Sequence, residues 1–227
     1  MNSKKLRQFL TENGASEVGF ADLSALVTDN MRSGVSIVLR IPRDIIRSIS
    51  EGPNIEYYNS YYDLNDKLDD LAESGAQLIR SMGYEAIAQT TGYVKDLGNY
   101  RTKLPHKTIA TLAGLGWIGK SALLVTKKYG AALRLTSILT NMPLDYGVPI
   151  ERSMCPQECN NCRKACPGEA ISGKLWDRET DRDEFFDPLK CREKARQLAW
   201  ERIKKEITLC GKCIEVCPFT QVYSKKN

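Results

Sequence analysis

Eight cysteines in a regular pattern constrain this chain more than any other feature of its sequence. Seven of them lie in two short runs, CPQECNNCRKACP at residues 155–167 and CGKCIEVCP at residues 210–218, and Cys191 lies between the runs. Both runs contain the spacing CxxCxxxCP, with proline directly after the last cysteine. The chain therefore carries two copies of one unit, and thiolates are the ligands that soft metal centres select.

This spacing is typical of bacterial iron–sulfur proteins, in which the cysteine before the proline ligates the other of two four-iron clusters. Two such clusters need eight thiolates, and the chain has eight cysteines. The predicted ligands of the first cluster are Cys155, Cys159, Cys162 and Cys217. Those of the second cluster are Cys166, Cys191, Cys210 and Cys213. We therefore predict two 4Fe-4S clusters, with no cysteine left over.

Two other interpretations of the cysteines are a disulfide framework and structural zinc. The N-terminal stretch MNSKKLRQFL has no apolar signal segment, and the chain is long enough to bury a core without disulfides. Zinc is the better alternative, because CxxC paired with CxxC is also a zinc-ribbon spacing. A zinc site would use about four of the cysteines and would explain neither proline.

The charge and hydropathy of the chain give little support to nucleic-acid or membrane binding. Lys and Arg number 33 against 28 Asp and Glu, a formal charge of +5. Two clusters with their thiolates, at about −2 each, would lower this charge to about +1. No apolar run has the length of a membrane span, so we expect a cytoplasmic protein with no membrane partner.

Hydrophobic periodicity predicts an α/β chain. Apolar positions three and four residues apart predict helices over residues 3–11, 54–82, 106–113 and 187–206. Alternating or short apolar runs predict strands over residues 17–21, 34–41, 84–89, 121–126 and 131–140. The predicted domains are an α/β core over residues 1–150, which would bind the substrate, and a double-cluster domain over residues 151–227.

The segment GLGWIGKS at residues 114–121 matches two nucleotide-binding patterns. The residues that match one or both patterns are Gly114, Gly116, Gly119, Lys120 and Ser121. Both patterns need a strand before the glycines and a helix after them, so that the helix N-terminus faces phosphate, but here a helix precedes and a strand follows. The glycines are better explained by a close approach of the backbone to a flat or bulky group, with Trp117 beside it and Lys120 as the charge. The alternative is a tight helix-to-strand turn, which also needs glycine.

Three features together resemble the epoxyqueuosine reductase family: AGLGWIGK at residues 113–120, the segments LLV and ILTNMPL that follow, and the double-cluster cysteines. That family is cobalamin-dependent and related to the reductive dehalogenases. The resemblance implies a nitroreductase-like α/β core followed by a ferredoxin-like domain. It also implies a corrinoid pocket near the first cluster, and the residues that would border it are Gly114, Gly116, Trp117, Gly119, Lys120 and Ser121.

The sequence departs from that family in three places. Tyr100 stands fourteen residues before Gly114, where the tRNA-modifying enzymes carry a proton-donating aspartate. The chain also stops ten residues after Cys217, before the extension that helps those enzymes to hold tRNA. We therefore expect that tRNA is not a partner of this chain. In addition, one extra residue lies between Cys155 and Cys159, relative to the family spacing CxxCxxCxxxCP.

His106 and Tyr100 are the candidate catalytic acids. His106 is the one histidine of the chain, and an unperturbed imidazole titrates in the range that proton donation requires. The alternative is that His106 only begins a helix after Pro105. Tyr100 is the weaker candidate, because an ordinary tyrosine has a pKa near 10.

The sequence therefore predicts an iron–sulfur oxidoreductase that passes electrons through two clusters to a corrinoid or to a small substrate. Its predicted partners are a low-potential electron donor of the ferredoxin or flavodoxin type and a small molecule or corrinoid protein. The alternative is an electron-transfer protein that serves a partner and has no catalysis of its own.

Overall fold

The computed structural model describes residues 2–225. The chain divides into two compact units that alternate along the sequence. The first unit consists of Met1–Arg40, Leu64–Gly116 and Arg134–Ile150. The second consists of Ile41–Asp63, Trp117–Leu133 and Glu151–Asn227. The predicted domain boundary after residue 150 stays a prediction.

A four-stranded sheet with the order β1-β2-β6-β3 forms the framework of the first unit. The strands are β1 (Glu17–Asp22), β2 (Ser33–Arg40), β3 (Ala86–Ala88) and β6 (Leu133–Thr140). β1 runs antiparallel to β2 with Phe20 opposite Val35, and β3 runs antiparallel to β6. β2 is buried at every position except Arg40, so its sequence reads as nearly continuous apolar and small residues rather than as a strict alternation.

Three α-helices supply residues to this unit, and their apolar faces pack into the core. They are α1 (Asn2–Glu12), α3 (Ile55–Ser81) and α4 (His106–Leu112). Leu68, Ala72 and Ile79 of α3 recur at helical spacing and join Leu6 and Leu10 of α1 in one buried cluster. Packing of this stripe explains why so long a helix forms here, since propensity alone stabilises a helix weakly.

The second unit is built from short helices and one hairpin. Its α-helices are α2 (Arg43–Ser48), α5 (Asn161–Lys164), α6 (Pro188–Ile203), α7 (Lys212–Glu215) and α8 (Pro218–Lys225). A 3-10 helix occupies Arg182–Glu184, and β4 (Trp117–Ile118) pairs antiparallel with β5 (Leu124–Val125). α5 and α7 each begin two residues after a cysteine, Cys159 and Cys210, so the repeated sequence unit forms a repeated structure.

The mixed α/β class is confirmed, and the elements follow the predicted order. The long helix is confirmed over Ile55–Ser81, and α4 precedes the glycine-rich segment while β4 and β5 follow it. The predicted strand over residues 121–126 is wrong in its extent, because only Leu124–Val125 is a strand. β4 was not expected, since two residues are too few to show an alternation. In the described range, no helix has both the length and the apolar character that crossing a membrane requires.

Gly75 of α3 tests the packing of the first unit. A Cβ at this position would lie 2.7 Å from Ile138 Cδ1 and 3.1 Å from Leu10 Cδ2. We expect Gly75→Val to lower the free energy of unfolding by about 1–3 kcal/mol, because overpacking forces side chains from their rotamers. Urea unfolding followed by circular dichroism measures this. Gly92→Val is the control, since no atom lies within 4 Å of the added Cβ there. Equal stability of the two variants would contradict the packing.

Candidate metal centre

The first four predicted ligands are neighbours in the second unit. The pKa of the Cys162 thiol is raised to about 11, first by burial and then by the nearby thiols of Cys155, Cys159 and Cys217. Cys217 in turn has its pKa raised first by burial, and Cys155 adds to the shift. Three cysteines of the first run thus lie beside the last cysteine of the second run, as the crossed arrangement predicts.

The other four cysteines are neighbours as well. The pKa of Cys191 is raised to about 11, first by burial and then by Cys166 and Cys210. Burial raises the pKa of Cys213, and its thiol neighbours in order of effect are Cys210, Cys191, Cys162 and Cys166. Cys213 therefore belongs with the second set and also adjoins the first. The grouping matches the predicted partition, while the ligation of metal by these thiols stays a prediction.

Local sequence features hold the thiols in these positions. Cys191 lies in the first turn of α6, where the Asp187 side chain caps the helix by accepting hydrogen bonds from the backbone of Leu189 and Lys190. Gly211 follows Cys210 with a φ of +84°, and a Cβ there would lie 2.7 Å from Ile49 Cδ1. The turn between Cys210 and α7 therefore needs glycine for its conformation and for its packing.

A recess of about 370 Å³, part of it open to solvent, lies at the first set of thiols. Its lining residues are Gly119, Lys120, Ser121, Val125, Cys155, Pro156, Cys159, Cys162, Cys213, Cys217, Pro218 and Phe219. Five thiols, one cation and several apolar groups thus surround one space. Sequence reasoning missed Val125 and Phe219, because nothing in their local sequence marks them as neighbours of a site.

Gly119 and Lys120 both contact the first cysteine loop. A Cβ at Gly119 would lie 2.8 Å from Val125 Cγ2 and 3.6 Å from Cys155 Sγ. The Lys120 amine donates hydrogen bonds of 2.8 Å and 2.9 Å to the carbonyl oxygens of Gln157 and Cys159. The atom nearest to a Cβ at Gly119 thus belongs to the chain's own Val125, and the expected close approach of this backbone to a flat or bulky group stays a prediction. A role for Gly119 and Lys120 in corrinoid binding stays a prediction.

Trp117 is buried, and it precedes in sequence the residues 119–121 that line the recess. Its ring meets Phe219 edge to face, with centroids 5.0 Å apart. Its indole Nε1 is buried and has no hydrogen-bond partner within residues 2–225. A buried donor of this kind is rare, and it is available to an acceptor that the chain does not supply.

The donor set fits an iron–sulfur cluster. Thiols that are buried together become thiolates only at a high electrostatic cost unless a cationic centre compensates them, and the raised pKa values of Cys162, Cys191 and Cys213 reflect this. Soft thiolates without imidazole or carboxylate are the ligands that these clusters use. Over the described residues, no three His, Cys, Asp or Glu side chains converge as the ligands of a single metal ion do.

The remaining residues of the glycine-rich segment lie in different environments. Gly114 has a φ of +72°, and a Cβ there would lie 2.6 Å from the carbonyl oxygen of Val148, so this glycine is needed by the chain's own packing. Gly116 and Ser121 are buried. The cofactor-binding roles of Gly114, Gly116, Trp117 and Ser121 stay predictions.

His106 begins α4 directly after Pro105 and is bonded inside the first unit. Its Nδ1 lies 2.6 Å from Ser137 Oγ, and the Ser137 hydroxyl donates to Gln89 Oε1 at 2.8 Å. Because that hydroxyl proton is already used, Nδ1 donates to Ser137, and Nε2 is left as the basic nitrogen. Burial lowers the pKa of His106 to about 4, with Asp69 opposing the shift and Arg134 adding to it. The imidazole is therefore neutral at physiological pH.

Tyr100 lies in an exposed turn of the same unit. The turn is closed by hydrogen bonds between the backbones of Leu97 and Arg101 and of Arg101 and Gly98. Tyr100 has a φ of +56°, which is uncommon for a tyrosine, and its side chain is 43% exposed. The hydrogen bond of His106 goes to Ser137 rather than to Tyr100. A catalytic role for either residue stays a prediction.

The single histidine allows a direct test of this environment. We expect the His106 ring resonances to show no titration between about pH 8 and about pH 5.5, because its folded pKa lies far below the ordinary 6.5. The unfolded ring binds a proton below pH 6.5 that the folded ring excludes until about pH 4, so this histidine lowers the stability by roughly 3 kcal/mol between these two pH values. NMR of protein labelled at histidine measures the midpoint, with His106→Gln as the blank. A midpoint near 6.5 would show that the ring is not buried in this way.

Comparison with known proteins supports the cysteine assignment. Residues 155–220 match the family described as the 4Fe-4S double cluster binding domain. A tetrachloroethene reductive dehalogenase from Sulfurospirillum multivorans is 28% identical over 155 residues, which cover 64% of this chain and 27% of that protein.

Two epoxyqueuosine reductases are similar to the chain as well. The protein from Listeria monocytogenes is 31% identical over 126 residues, which cover 52% of this chain and 30% of that protein. The protein from Lactococcus garvieae is 28% identical over 181 residues, covering 77% of this chain and 45% of its own. The chain thus spans less than half the length of each of these curated relatives.

Solved structures of both kinds share the fold. A catabolic reductive dehalogenase in complex with 3-bromo-4-hydroxybenzoic acid matches 96% of this chain and 32% of its own, with a TM-score of 0.74 and 18% identity. An epoxyqueuosine reductase matches 96% of this chain and 65% of its own, with a TM-score of 0.62 and 20% identity. The resemblance found in the sequence is therefore confirmed: the chain is similar to epoxyqueuosine reductases and to reductive dehalogenases, and its residues 155–220 match the 4Fe-4S double cluster binding domain.

Proposed function

We propose that this chain is an iron–sulfur oxidoreductase that passes electrons through two 4Fe-4S clusters to a bound corrinoid or to a small substrate. The observation that carries the proposal is the arrangement of eight buried or half-buried thiols in two sets of four within the second unit. When bound, such a cluster exchanges single electrons at a potential that its surroundings set. The residues of this chain supply the ligands, the burial and the local charge.

Each cluster takes ligands from both cysteine runs, and the second cluster also takes Cys191 from α6. Cys155, Cys159 and Cys162 hold the first cluster with Cys217. Cys191, Cys210 and Cys213 hold the second cluster with Cys166. In this proposal residues 151–227 form a ferredoxin-like domain, and residues 1–150 form a nitroreductase-like core that binds the corrinoid or the substrate.

The corrinoid is proposed from the relatives and from the glycine-rich segment. One reductive dehalogenase structure that shares this fold is described as suggesting a mechanism for B12-dependent dehalogenation. Of the three glycines, Gly114 and Gly119 are required by close contacts within the chain itself. Gly116 is buried, and in this proposal the absence of a side chain there serves the ligand, with Trp117 and Ser121 close to it in sequence.

A small molecule rather than tRNA is the substrate that we propose. An epoxyqueuosine reductase has been solved with a tRNA stem loop, so tRNA binding is compatible with this fold. Tyr100 nevertheless stands where the resemblance places the proton-donating aspartate, and its turn leaves the side chain 43% exposed. The proposed electron donor is a ferredoxin or a flavodoxin.

The second candidate function is electron transfer to a partner without catalysis. The observation that favours it is the state of the two candidate acids. His106 is neutral and bonded to Ser137, and Tyr100 lies at an exposed turn. An electron carrier needs no proton donor, so the environments of His106 and Tyr100 are compatible with electron transfer alone.

The ligand partition is tested by cysteine variants of the reconstituted protein. We expect about eight iron and eight sulfide per wild-type chain, and about four of each in Cys191→Ala and Cys166→Ala. These two variants should retain the same cluster and give the same electron paramagnetic resonance spectrum, although their cysteines lie in different parts of the chain. Cys217→Ala should retain the other cluster. If Cys166→Ala gives the same spectrum as Cys159→Ala instead, the crossed partition is wrong. Bound zinc without sulfide in the wild type would show that the chain holds no iron–sulfur clusters.

Binding of cob(II)alamin separates the two candidate functions. We expect one cobalamin per reconstituted wild-type chain, and we expect Gly116→Val to lose this binding while both clusters remain, because the added side chain occupies the ligand's place. Calorimetric titration measures the binding, with Gly92→Val as the matched control. We also expect no magnesium-dependent ATP binding, because β4 rather than a helix follows the glycines. If the wild-type protein does not bind cobalamin, electron transfer to a partner is the function that remains.

A further inference from the structure

Lys120 is a buried cation, and the established features of the fold do not explain it. Its side chain is 3% exposed. Lysine is almost never buried to this extent unless its charge is compensated. Throughout residues 2–225, no carboxylate lies within ion-pair distance of the Lys120 amine, and its hydrogen bonds go to the carbonyl oxygens of Gln157 and Cys159.

Both carbonyl groups belong to the loop between the first two cysteines, residues 155–159. This loop is the place where the sequence has one residue more than the family spacing. The Lys120 amine has three hydrogen-bond donors and no acceptor, so it holds both carbonyl oxygens close to one point. The extra residue thus lies in a loop that is held from inside by a side chain 37 and 39 residues away in sequence.

The charge of Lys120 has a natural counterpart in the same recess. Lys120 lines this space together with the thiols of Cys155, Cys159, Cys162 and Cys217. Four thiolates around a four-iron core leave a net negative charge of about −2, which becomes about −3 when the cluster takes up an electron. A fixed positive charge therefore stabilises both forms, and it stabilises the reduced form more.

We infer that Lys120 is a positioning residue for the first cluster, which fixes the 155–159 loop through two carbonyl groups and raises the reduction potential of the cluster through its charge. This inference rests on the proposed function, because it requires a cluster at this set of thiols. It also separates Lys120 from the nucleotide-binding pattern, since the amine is committed to the chain's own carbonyl groups.

The test is a potentiometric titration in the Cys191→Ala background, which retains only the first cluster and so has a single one-electron step. Lys120→Met removes the charge and the donor. Lys120→Gln removes the charge and keeps a donor for a carbonyl oxygen. Lys127→Met is the matched control, because it removes an exposed lysine from the turn after the same hairpin.

We expect Lys120→Gln to lower the equilibrium constant for reduction of the first cluster at least tenfold, which is ~59 mV for a one-electron couple. Lys127→Met should leave the potential unchanged. We also expect Lys120→Met to lose part of the first cluster's iron, because two carbonyl groups of the loop that carries its ligands lose their donor. In the wild-type background the second cluster should keep its iron and its potential in both Lys120 variants.

Several results would overturn the inference. An unchanged potential in both Lys120 variants would show that the charge is not sensed by the cluster. An equal shift in Lys127→Met would show a general effect of net charge. Loss of both clusters in Lys120→Gln and Lys120→Met would show a role in folding as a whole. A wild-type chain without any cluster would refute the proposed function itself, and iron analysis before the titration distinguishes that failure from the others.

Discussion

The cost of forming thiolates in a partly buried site is the constraint on which the second unit depends. Burial raises the pKa values of Cys162, Cys191, Cys210, Cys213 and Cys217, and neighbouring thiols add to most of these shifts. The chain alone therefore favours neutral thiols at physiological pH, whereas iron–sulfur ligation requires thiolates. The free energy of cluster binding has to cover this deprotonation, so in our proposal assembly of the clusters and stability of the unit are coupled.

Close packing holds the segment that follows the second cysteine run. A Cβ at Gly130 would lie 2.2 Å from the Thr220 backbone nitrogen, just after the last cysteine. Tyr223 of α8 donates a 2.9 Å hydrogen bond to the carbonyl oxygen of Ile41. This segment is thus held by residues from 41–63 and 117–133 in the same unit. Lys120 is the cation that this packing encloses beside the first set of thiols.

The sequence predicted those features that a short window contains, and it missed those that depend on distant contacts. The cysteine spacing predicted two sets of four thiols, because the repeated unit carries its own geometry. The periodic apolar stripe predicted α3 to within one residue at each end. The contacts of Lys120 with Gln157 and of His106 with Ser137 join residues more than thirty positions apart, and no local pattern reports such pairs. Lys120 was singled out from the sequence as the charge beside a flat or bulky group, and that role stays a prediction; its hydrogen bonds go to the first cysteine loop.

Reductive dehalogenases and epoxyqueuosine reductases act on very different substrates and share this fold. The difference in substrate must therefore come from something other than the fold. The matching dehalogenase and reductase structures each cover 96% of this chain, and both units are therefore part of what they share. Within the chain, the polar loop before α4 is one place where the sequence departs from the resemblance, since Tyr100 stands where an aspartate is expected. In this loop Thr91 donates hydrogen bonds to Asp69 of α3, Asp96 accepts a hydrogen bond from the backbone of Gly98, and Asn99 and Tyr100 both take left-handed conformations. A loop of this kind changes its side chains at little cost to the fold, because function commonly varies on loops that a rigid scaffold positions. Differences in substrate between proteins that share this fold are therefore expected in such loops, and residues 90–105 form a loop of this kind in the present chain.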